Sequence, residues 1–201
     1  MLKLYYITGA CSLCPHIVLH EAGLSFTLDK VNPKDKKTES GQDYNAINPK
    51  GYVPALVMNN GQLLTEASVV AQYIADLVPE KKLAPLAGTV ERYRLMEWLN
   101  FISTEIHKGF SPLFNPKLSE EAKAAAKERL SGRIGFAAKA LEGKTYLMGK
   151  TFTVADAYLF TTLRWAHHVG LDLSPWSALK DYMERIAARP AVKAALKEEG
   201  L

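Results

Sequence analysis

The chain has 201 residues, of which 48% are hydrophobic and 23% charged, and its formal net charge is +4 at pH 7. This composition is typical of a folded globular protein with a substantial core. The charge is weak, and the densest basic stretch, 33–37, is interrupted by Asp35, which argues against nucleic-acid binding. No apolar run approaches the roughly 20 residues that cross a bilayer. The N-terminus also lacks the features of a secretory signal, so we expect a cytoplasmic protein without a membrane partner.

Residues 1–80 alternate between strand and helix signals. LKLYYI predicts a strand, SLCPHIVLHEAG a helix between a Ser and a Gly, and FTLDKV a second strand. Together these form a βαβ unit, whose strands should lie parallel with a right-handed crossover. A short helix is expected at about 41–47. ALVM and QLL then flank Asn60-Gly61, a pair that favours a type I′ hairpin turn, and TEASVVAQYIADLVP predicts an amphipathic helix.

After a linker that contains Pro, Lys and Gly, residues 87–201 carry only helical periods. They predict an all-α bundle behind the α/β half. Within it, Thr153 followed three residues later by Asp156 predicts a capping box at a helix start, with Asp in place of the usual Glu. We assign this pair to folding rather than to chemistry.

The stretch GACSLCPH contains both cysteines of the chain, Cys11 and Cys14. Cys11 falls where the first strand gives way to the first helix, and a helix N-terminus stabilises a thiolate, so we expect a lowered pKa there. The C-x-x-C spacing also suits a redox dithiol or, with His16 and His20, zinc. Structural zinc sites take their ligands from separated segments, and four ligands in one short helix would not converge. We therefore expect no metal and a buried Cys14.

Two further features carry candidate binding residues. Val53-Pro54 precedes a strand, and base rates alone favour a trans peptide bond there. Thr65 is predicted to cap the third helix, and Glu66 suits the positive end of its dipole; the same helix N-terminus could bind a carboxylate.

Polar residues also recur along the first helix of the second half. Asn100, Thr104, His107 and Lys108 stand three or four residues apart, which places them on one helical face. With an ordinary pKa near 6.5, His107 could accept or donate a proton at working pH.

The order and spacing of GACSL, NPKGYVPAL, LLTEA, WLNFISTEIHKGFSPLF and FTVADAYLF resemble the glutathione transferases, most closely the bacterial cysteine-containing (beta) class. The resemblance spans the whole chain. It implies a thioredoxin-like glutathione-binding domain over 1–80 and an all-α domain over 87–201. It also implies glutathione as co-substrate, no metal and a homodimer.

The resemblance implies roles for the cleft residues of the first domain. Cys11 would lie against the sulfur of glutathione, with which it could form a mixed disulfide. Pro54 would be cis, leaving the backbone of Val53 to pair with the cysteinyl residue of glutathione. Lys36 would pair with its glycine carboxylate.

At the third helix, the resemblance places Glu66 against the ammonium group of glutathione and the following residue against its γ-glutamyl carboxylate. Many relatives have Ser at that position, whereas this chain has Ala67, which offers only its N–H. Tyr6 would form part of the active-site wall.

From the second domain, the resemblance places the polar face of Asn100, Thr104 and His107 beside the glutathione cleft, with His107 near the reacting sulfur. Asn100 and Glu105 would act either within the chain or across a dimer interface.

The resemblance implies conjugation of the glutathione thiolate to small hydrophobic electrophiles, as in detoxification, in a second site lined from the helical half. Phe110, Leu113 and Trp165 are the candidates for this lining, and core packing is the equal alternative for each. A first alternative is a glutathione-dependent thiol transferase, disulfide reductase or dehalogenase that works through a mixed disulfide on Cys11. A second alternative is a non-catalytic member of the fold that binds ligands or partners.

Overall fold

The computed structural model describes residues 1–201, and four strands form one mixed sheet in its first half. The strands are β1 (Leu2–Tyr6), β2 (Phe26–Lys30), β3 (Ala55–Val57) and β4 (Leu63–Thr65). Their order in the sheet is β2-β1-β3-β4. β1 pairs parallel with β2 and antiparallel with β3, which pairs antiparallel with β4. The predicted βαβ unit and the hairpin are both confirmed.

Ten α-helices accompany the sheet, and none of them is both long and apolar enough to cross a bilayer. Three belong to the first half: α1 (Leu13–Ala22), α2 (Tyr44–Ile47) and α3 (Ala67–Asp76). The second half contains α4 (Val90–Phe101), α5 (Lys108–Phe110), α6 (Glu120–Leu141), α7 (Val154–Leu163), α8 (Trp165–His168), α9 (Ser177–Ala187) and α10 (Pro190–Glu199). The predicted division into an α/β and an all-α part is confirmed.

The hairpin between β3 and β4 differs from the predicted type I′ turn. The Gly61 N–H donates to the Met58 carbonyl at 2.9 Å, so the turn is centred on Asn59 and Asn60. Gly61 alone takes a positive φ, of 80°. This is the longer hairpin loop in which a type I turn is followed by a left-handed glycine. The two central residues of the turn are therefore Asn59 and Asn60, one position before the predicted pair Asn60-Gly61.

The start of α3 also corrects an expectation. Thr65 is the last residue of β4 rather than a cap, and Glu66 occupies the N-cap position with φ 71°. No side chain caps the helix. The N–H groups of its first turn therefore lack both an intrahelical acceptor and a capping side chain.

Helix α4 does not continue regularly into the polar strip predicted from Asn100 to Lys108. Residues Ile102–His107 form a π-helical segment with a wider turn. The wider turn breaks the three- and four-residue spacing that the prediction assumed, so the polar residues divide between two faces. Such segments are frequent at functional sites.

Two buried or half-buried arginines fasten the two halves to each other. The Arg92 guanidinium donates to both carboxylate oxygens of Asp76, at 2.7 and 2.6 Å, and so joins α4 to α3. Arg189, at the start of α10, binds both carboxylate oxygens of Glu21 on α1. Bidentate pairs of this kind fix orientation as well as proximity. They hold α1 and α3 against the helical half, so the cleft between the halves has fixed walls.

The predicted capping box at the start of α7 is present and buried. Asp156 accepts hydrogen bonds from the Thr153 N–H at 2.9 Å and from the Thr153 hydroxyl at 3.0 Å. Its other oxygen accepts from the Leu147 N–H at 2.8 Å and from the Tyr182 hydroxyl at 3.1 Å. One carboxylate thus joins the preceding loop, the helix start and α9.

We expect the Asp156→Ala variant to lose about 3 kcal/mol of unfolding free energy, because the Leu147 N–H, the Thr153 N–H and the Thr153 hydroxyl would lose their acceptor in a buried site. The Tyr182 hydroxyl would keep the Asp156 backbone carbonyl as its acceptor. Urea denaturation followed by circular dichroism measures this loss. Asp172→Ala is the matched control: that aspartate is exposed and bonds only locally to Ser174, so its change should stay within about 0.5 kcal/mol. Equal losses in the two variants would contradict the assignment.

Candidate active site

The segment between β1 and α1 is held from both sides by the helical half. Gly9 sits at its centre with φ 71°, a conformation that favours glycine. Its N–H donates to Glu199 Oε2 at 2.8 Å, and its carbonyl accepts from the indole N–H of Trp165 at 2.8 Å. The Ser12 hydroxyl, instead of capping α1, exchanges hydrogen bonds with the Ile7 backbone. These contacts fix the path of the chain into Cys11.

Cys11 lies near the end of this segment, just before α1, and its thiol donates to the Val53 carbonyl at 3.1 Å. Protein surrounds most of the sulfur, and burial raises the pKa of Cys11 to about 12. The nearby backbone N–H groups oppose this rise without overcoming it. The expectation of a lowered pKa is therefore wrong, because desolvation of the thiolate outweighs the effect of the helix terminus. Cys11 is therefore a protonated thiol, and part of its side chain lines the cleft.

Cys14 lies within the core on α1 and is 0% exposed. Burial raises its pKa well above the ordinary value. Both cysteines are free thiols. The prediction of a buried Cys14 is confirmed, and its side chain lines neither of the cavities beside Cys11.

The Val53-Pro54 peptide bond is cis, as the resemblance implied and contrary to base rates. The Val53 carbonyl faces Cys11, whereas its N–H has no protein acceptor within hydrogen-bonding distance. An extended ligand can therefore pair with this backbone as an added strand does.

A polar cavity of about 140 Å³ opens between the two halves at this point. Its walls are formed by the segment that precedes β3, the start of α3, the π-helical segment and α7. The predicted residues that line it are Cys11, Val53, Pro54, Glu66, Ala67 and His107. Lys108, from the predicted polar face, also lines it, and the lining residues that were not predicted include Lys50, Ser103 and Tyr158.

Lys50 is the missed residue with the clearest electrostatic effect. Its Nζ lies 2.8 Å from Glu66 Oε1 and 3.0 Å from the Thr65 hydroxyl. Glu66 itself is exposed, at the uncapped start of α3. Lys50 falls inside the NPKGYVPAL motif, but only the fold brings it across to Glu66. A cation, a carboxylate and free N–H groups thus converge at one end of the cavity.

His107 is held by Tyr158, whose hydroxyl lies 2.7 Å from His107 Nδ1. Burial raises the pKa of Tyr158 far above its ordinary value, so the hydroxyl keeps its proton and is able to donate it to Nδ1. Burial, assisted by Lys108, lowers the pKa of His107 to about 4. At neutral pH the ring is therefore uncharged, and the expected titration near pH 6.5 is wrong. In the tautomer in which Tyr158 donates to Nδ1, the ring proton is on Nε2, which is then a hydrogen-bond donor.

A second cavity, of about 430 Å³, adjoins the first and shares Cys11 and His107 with it. Trp165 lines it as predicted, and its ring stands edge-on to His107 with the centroids 4.8 Å apart. Phe110 and Leu113 do not line it: they are 0% and 9% exposed and belong to the core. The apolar lining comes instead from Phe114, from Leu201 at the C-terminus and from the Gly9 segment.

Two residues of the first half lie outside both cavities. Tyr6, on β1, is buried against the ring of His16, so it does not form the expected wall. Lys36 stands in the loop after β2, and its Nζ donates to the Gly51 carbonyl at 3.0 Å. That contact places Lys36 beside the segment that leads into Val53, outside the two cavities.

Three residues of the second half also face elsewhere. Asn100 and Thr104 are exposed, and the Thr104 hydroxyl donates to the Asn100 carbonyl at 3.0 Å. Glu105 Oε2 lies 2.9 Å from Arg133 Nε on α6. The π-helical turn aims Ser103 and His107 into the cleft and leaves these three outside it.

We expect Cys11 to react slowly with iodoacetamide at neutral pH, because a pKa of about 12 leaves roughly one thiol in ten thousand ionised at pH 8. The alkylation rate, followed by mass spectrometry, should keep rising to pH 10 without a plateau. The Cys14→Ala variant should behave identically. A plateau between pH 7 and 9 would show that Cys11 ionises in its ordinary range.

Comparison with known proteins agrees with this architecture. The family model for the glutathione S-transferase N-terminal domain matches residues 9–77, and that for the C-terminal domain matches 101–190. Glutathione S-transferase GstA of Escherichia coli O157:H7 is 47% identical over 200 residues, covering 100% of both chains.

Two solved structures cover 99% of this chain and 99% of their own. A sphingomonad glutathione S-transferase complexed with glutathione is 47% identical with a TM-score of 0.96. A beta-class enzyme of Sphingomonas chungbukensis is 48% identical with a TM-score of 0.95. These matches span the full chain and therefore both domains that form the cleft. The chain belongs to the glutathione S-transferase family, as an enzyme of its bacterial beta class.

Proposed function

We propose that the chain conjugates glutathione to small apolar electrophiles at the point where its two cavities meet. The observation that carries this proposal is that a polar cavity and a cavity with an apolar wall share Cys11 and His107. A peptide thiol in the first cavity and an electrophile in the second would have their reacting atoms side by side. Holding two reactants in this way replaces a bimolecular encounter with an effectively unimolecular step.

Glutathione would lie along the Val53 backbone, with its cysteinyl residue paired to the free N–H of Val53. Its γ-glutamyl end would reach the start of α3, where the ammonium faces Glu66 and the carboxylate accepts from the Ala67 N–H. Lys50 would then exchange part of its contact with Glu66 for that carboxylate. The polar cavity holds only part of a tripeptide, so the glycine end would extend over open surface towards Lys36. The sphingomonad relative that is complexed with glutathione supports glutathione as the ligand.

The protonation states of the cleft suit stabilisation of a thiolate that arrives with the ligand. The Cys11 S–H and the His107 Nε2–H are both donors, and Lys108 contributes a positive charge nearby. The glutathione thiolate then attacks an electrophilic carbon: a C–S bond forms, and either a leaving group departs with its electron pair or the adjacent carbon takes up a proton. Preorganised donors in a dry site stabilise such an anion more than water does.

The Cys11→Ala variant should lose most aryl-halide conjugation and all ability to form a protein–glutathione mixed disulfide, because it removes the thiol beside the bound sulfur. Cys14→Ala should retain both activities, since Cys14 is enclosed in the core. The paired assays are conjugation of an aryl halide and reduction of a glutathione mixed disulfide.

Unchanged rates in Cys11→Ala for both reactions would contradict the role of Cys11. Selective loss of the reductase activity in Cys14→Ala would favour thiol exchange between the two cysteines over conjugation as the main chemistry. Thermal denaturation of both variants controls for misfolding, which is required for Cys14 because truncating a buried side chain destabilises the core.

The His107→Ala variant should lower kcat/KM for conjugation by roughly 10- to 150-fold, the equivalent of about 1.5–3 kcal/mol for a hydrogen bond to a charged group. The pH profile of the wild-type enzyme should show no inflection near pH 6.5 from this residue, because the pKa of His107 is lowered to about 4. An inflection near pH 6.5 that disappears in the variant would show that His107 titrates as a base.

A homodimer is consistent with the outer surface of the helical half. Tyr93 and Met96 on α4 and Phe136 on α6 are 62%, 43% and 58% exposed, an unusual exposure for large apolar side chains. Asn100 lies on the exposed side of the same helix, and Glu105 is paired with Arg133 within its own chain. In a dimer, Asn100 is thus better placed than Glu105 to reach a partner.

A further inference from the structure

A cluster of two imidazoles and one carboxylate lies where α1 meets the end of α10, apart from the cavities described above. His16 and His20 stand one turn apart on α1, and Glu198 comes from the last turn of α10. Glu198 Oε2 lies 2.8 Å from His16 Nε2 and 3.0 Å from His20 Nε2. The three candidate ligand atoms all lie within 4.8 Å of one another.

We propose that His16, His20 and Glu198 form a binding site for a divalent transition-metal ion of the Zn²⁺ type. Two imidazole nitrogens and one carboxylate oxygen form a ligand set that such ions accept, with a fourth position left for water. The sequence pairs His16 and His20 with Cys11 and Cys14, and these four side chains of one short segment cannot converge on a single ion. The third ligand comes from the other end of the chain, which no local spacing could indicate.

The surroundings of His16 match the outer shell of a metal site. Glu199 Oε1 lies 2.9 Å from His16 Nδ1, and both side chains are 0% exposed. A metal-bound histidine usually donates its second ring N–H to a carboxylate, which fixes the tautomer and the ring orientation. Here that contact reserves Nε2 for the metal. Phe26 stands edge-on to both imidazole rings, with centroids 5.7 and 5.1 Å away, and restricts their rotation.

The charge balance also favours a cation. Both nitrogens of the buried His16 ring face carboxylate oxygens, Glu198 Oε2 at 2.8 Å and Glu199 Oε1 at 2.9 Å. A divalent ion bound by His16 and His20 would compensate the negative charge of both carboxylates. Burying a charge without full compensation is costly, so a cation at this position is favourable.

Binding an ion needs movements of the two partly exposed ligands. Metal–ligand bonds of about 2.0–2.2 Å in a tetrahedral site place ligand atoms roughly 3.3–3.5 Å apart. The candidate ligand atoms lie up to 4.8 Å apart, and this widest separation is between the two imidazole nitrogens, so His20 must approach His16 by about 1.5 Å. Glu198 Oε2 must retreat by about half an ångström from the two nitrogens. Its side chain is 44% exposed and can do so, whereas His16 is fixed in the core. The 20% exposure of His20 gives the ion a path from solvent.

A metal here would tie α1 to α10 next to the segment that leads into Cys11. Glu199 contacts His16 through one oxygen and the Gly9 N–H through the other. The ion would thus stabilise the packing of α10 on α1 and the position of the Gly9 segment, without entering the glutathione cleft.

The test is isothermal titration of ZnSO₄ into chelator-treated, full-length protein carrying Cys11→Ser, which removes the accessible thiol as a competing ligand. We expect one ion per chain and a rise in Tm on loading. His20→Ala and Glu198→Gln should each weaken binding at least tenfold, since each removes or weakens a direct ligand. These two positions carry the test because they are partly exposed, whereas a change at the buried His16 could also disturb folding.

His167→Ala is the matched control, because this exposed histidine is also next to another histidine but has no carboxylate partner. It should bind zinc as the parent does. Loading with Co²⁺ should give the spectrum of a nitrogen and oxygen site, without a thiolate charge-transfer band. Absence of binding, affinity unchanged by both ligand variants, or a thiolate band would overturn the proposal.

Discussion

The anchoring of Gly9 is the constraint on which the site depends. Its N–H and its carbonyl are both bound by side chains of the helical half, Glu199 and Trp165, each at 2.8 Å. The residue that positions the start of the Cys11 segment is therefore fixed by parts of the chain that lie more than 150 residues away. Trp165 also lines the second cavity and packs against His107. One indole thus links the backbone of the first half to both reactant sites.

Burial determines the chemistry of the cleft more than proximity to a helix terminus does. Cys11 is a thiol and His107 a neutral imidazole, and in both cases desolvation of the charged form is the main cause. Neither group carries a charge at neutral pH. The cleft therefore offers uncharged hydrogen-bonding groups to an anion, which suits an enzyme whose nucleophile belongs to a co-substrate rather than to the protein.

The sequence predicted the elements well where local patterns decide them. The βαβ unit, the capping box of Thr153 and Asp156 and the burial of Cys14 follow from alternation, cap residues and an apolar helix. The errors arose where a local rule competed with the environment. Asn60-Gly61 has the residues that favour a two-residue type I′ turn, but β3 and β4 pair in the register of a longer loop. Phe110 and Leu113 have the character of substrate-lining residues, yet the packing of the helices encloses them.

The two-part fold, the family and several of the residues around Cys11 could be predicted from the sequence, because strand alternation, helix periods and motif order are properties of neighbouring residues. Which polar groups meet depends on how the helices and strands pack. Lys50 with Glu66, Tyr158 with His107, and Glu198 and Glu199 with His16 join residues that are distant along the chain. The tertiary structure also decided the protonation of Cys11 and His107, because a pKa depends on how completely the surrounding protein excludes water, and no spacing of residues encodes that.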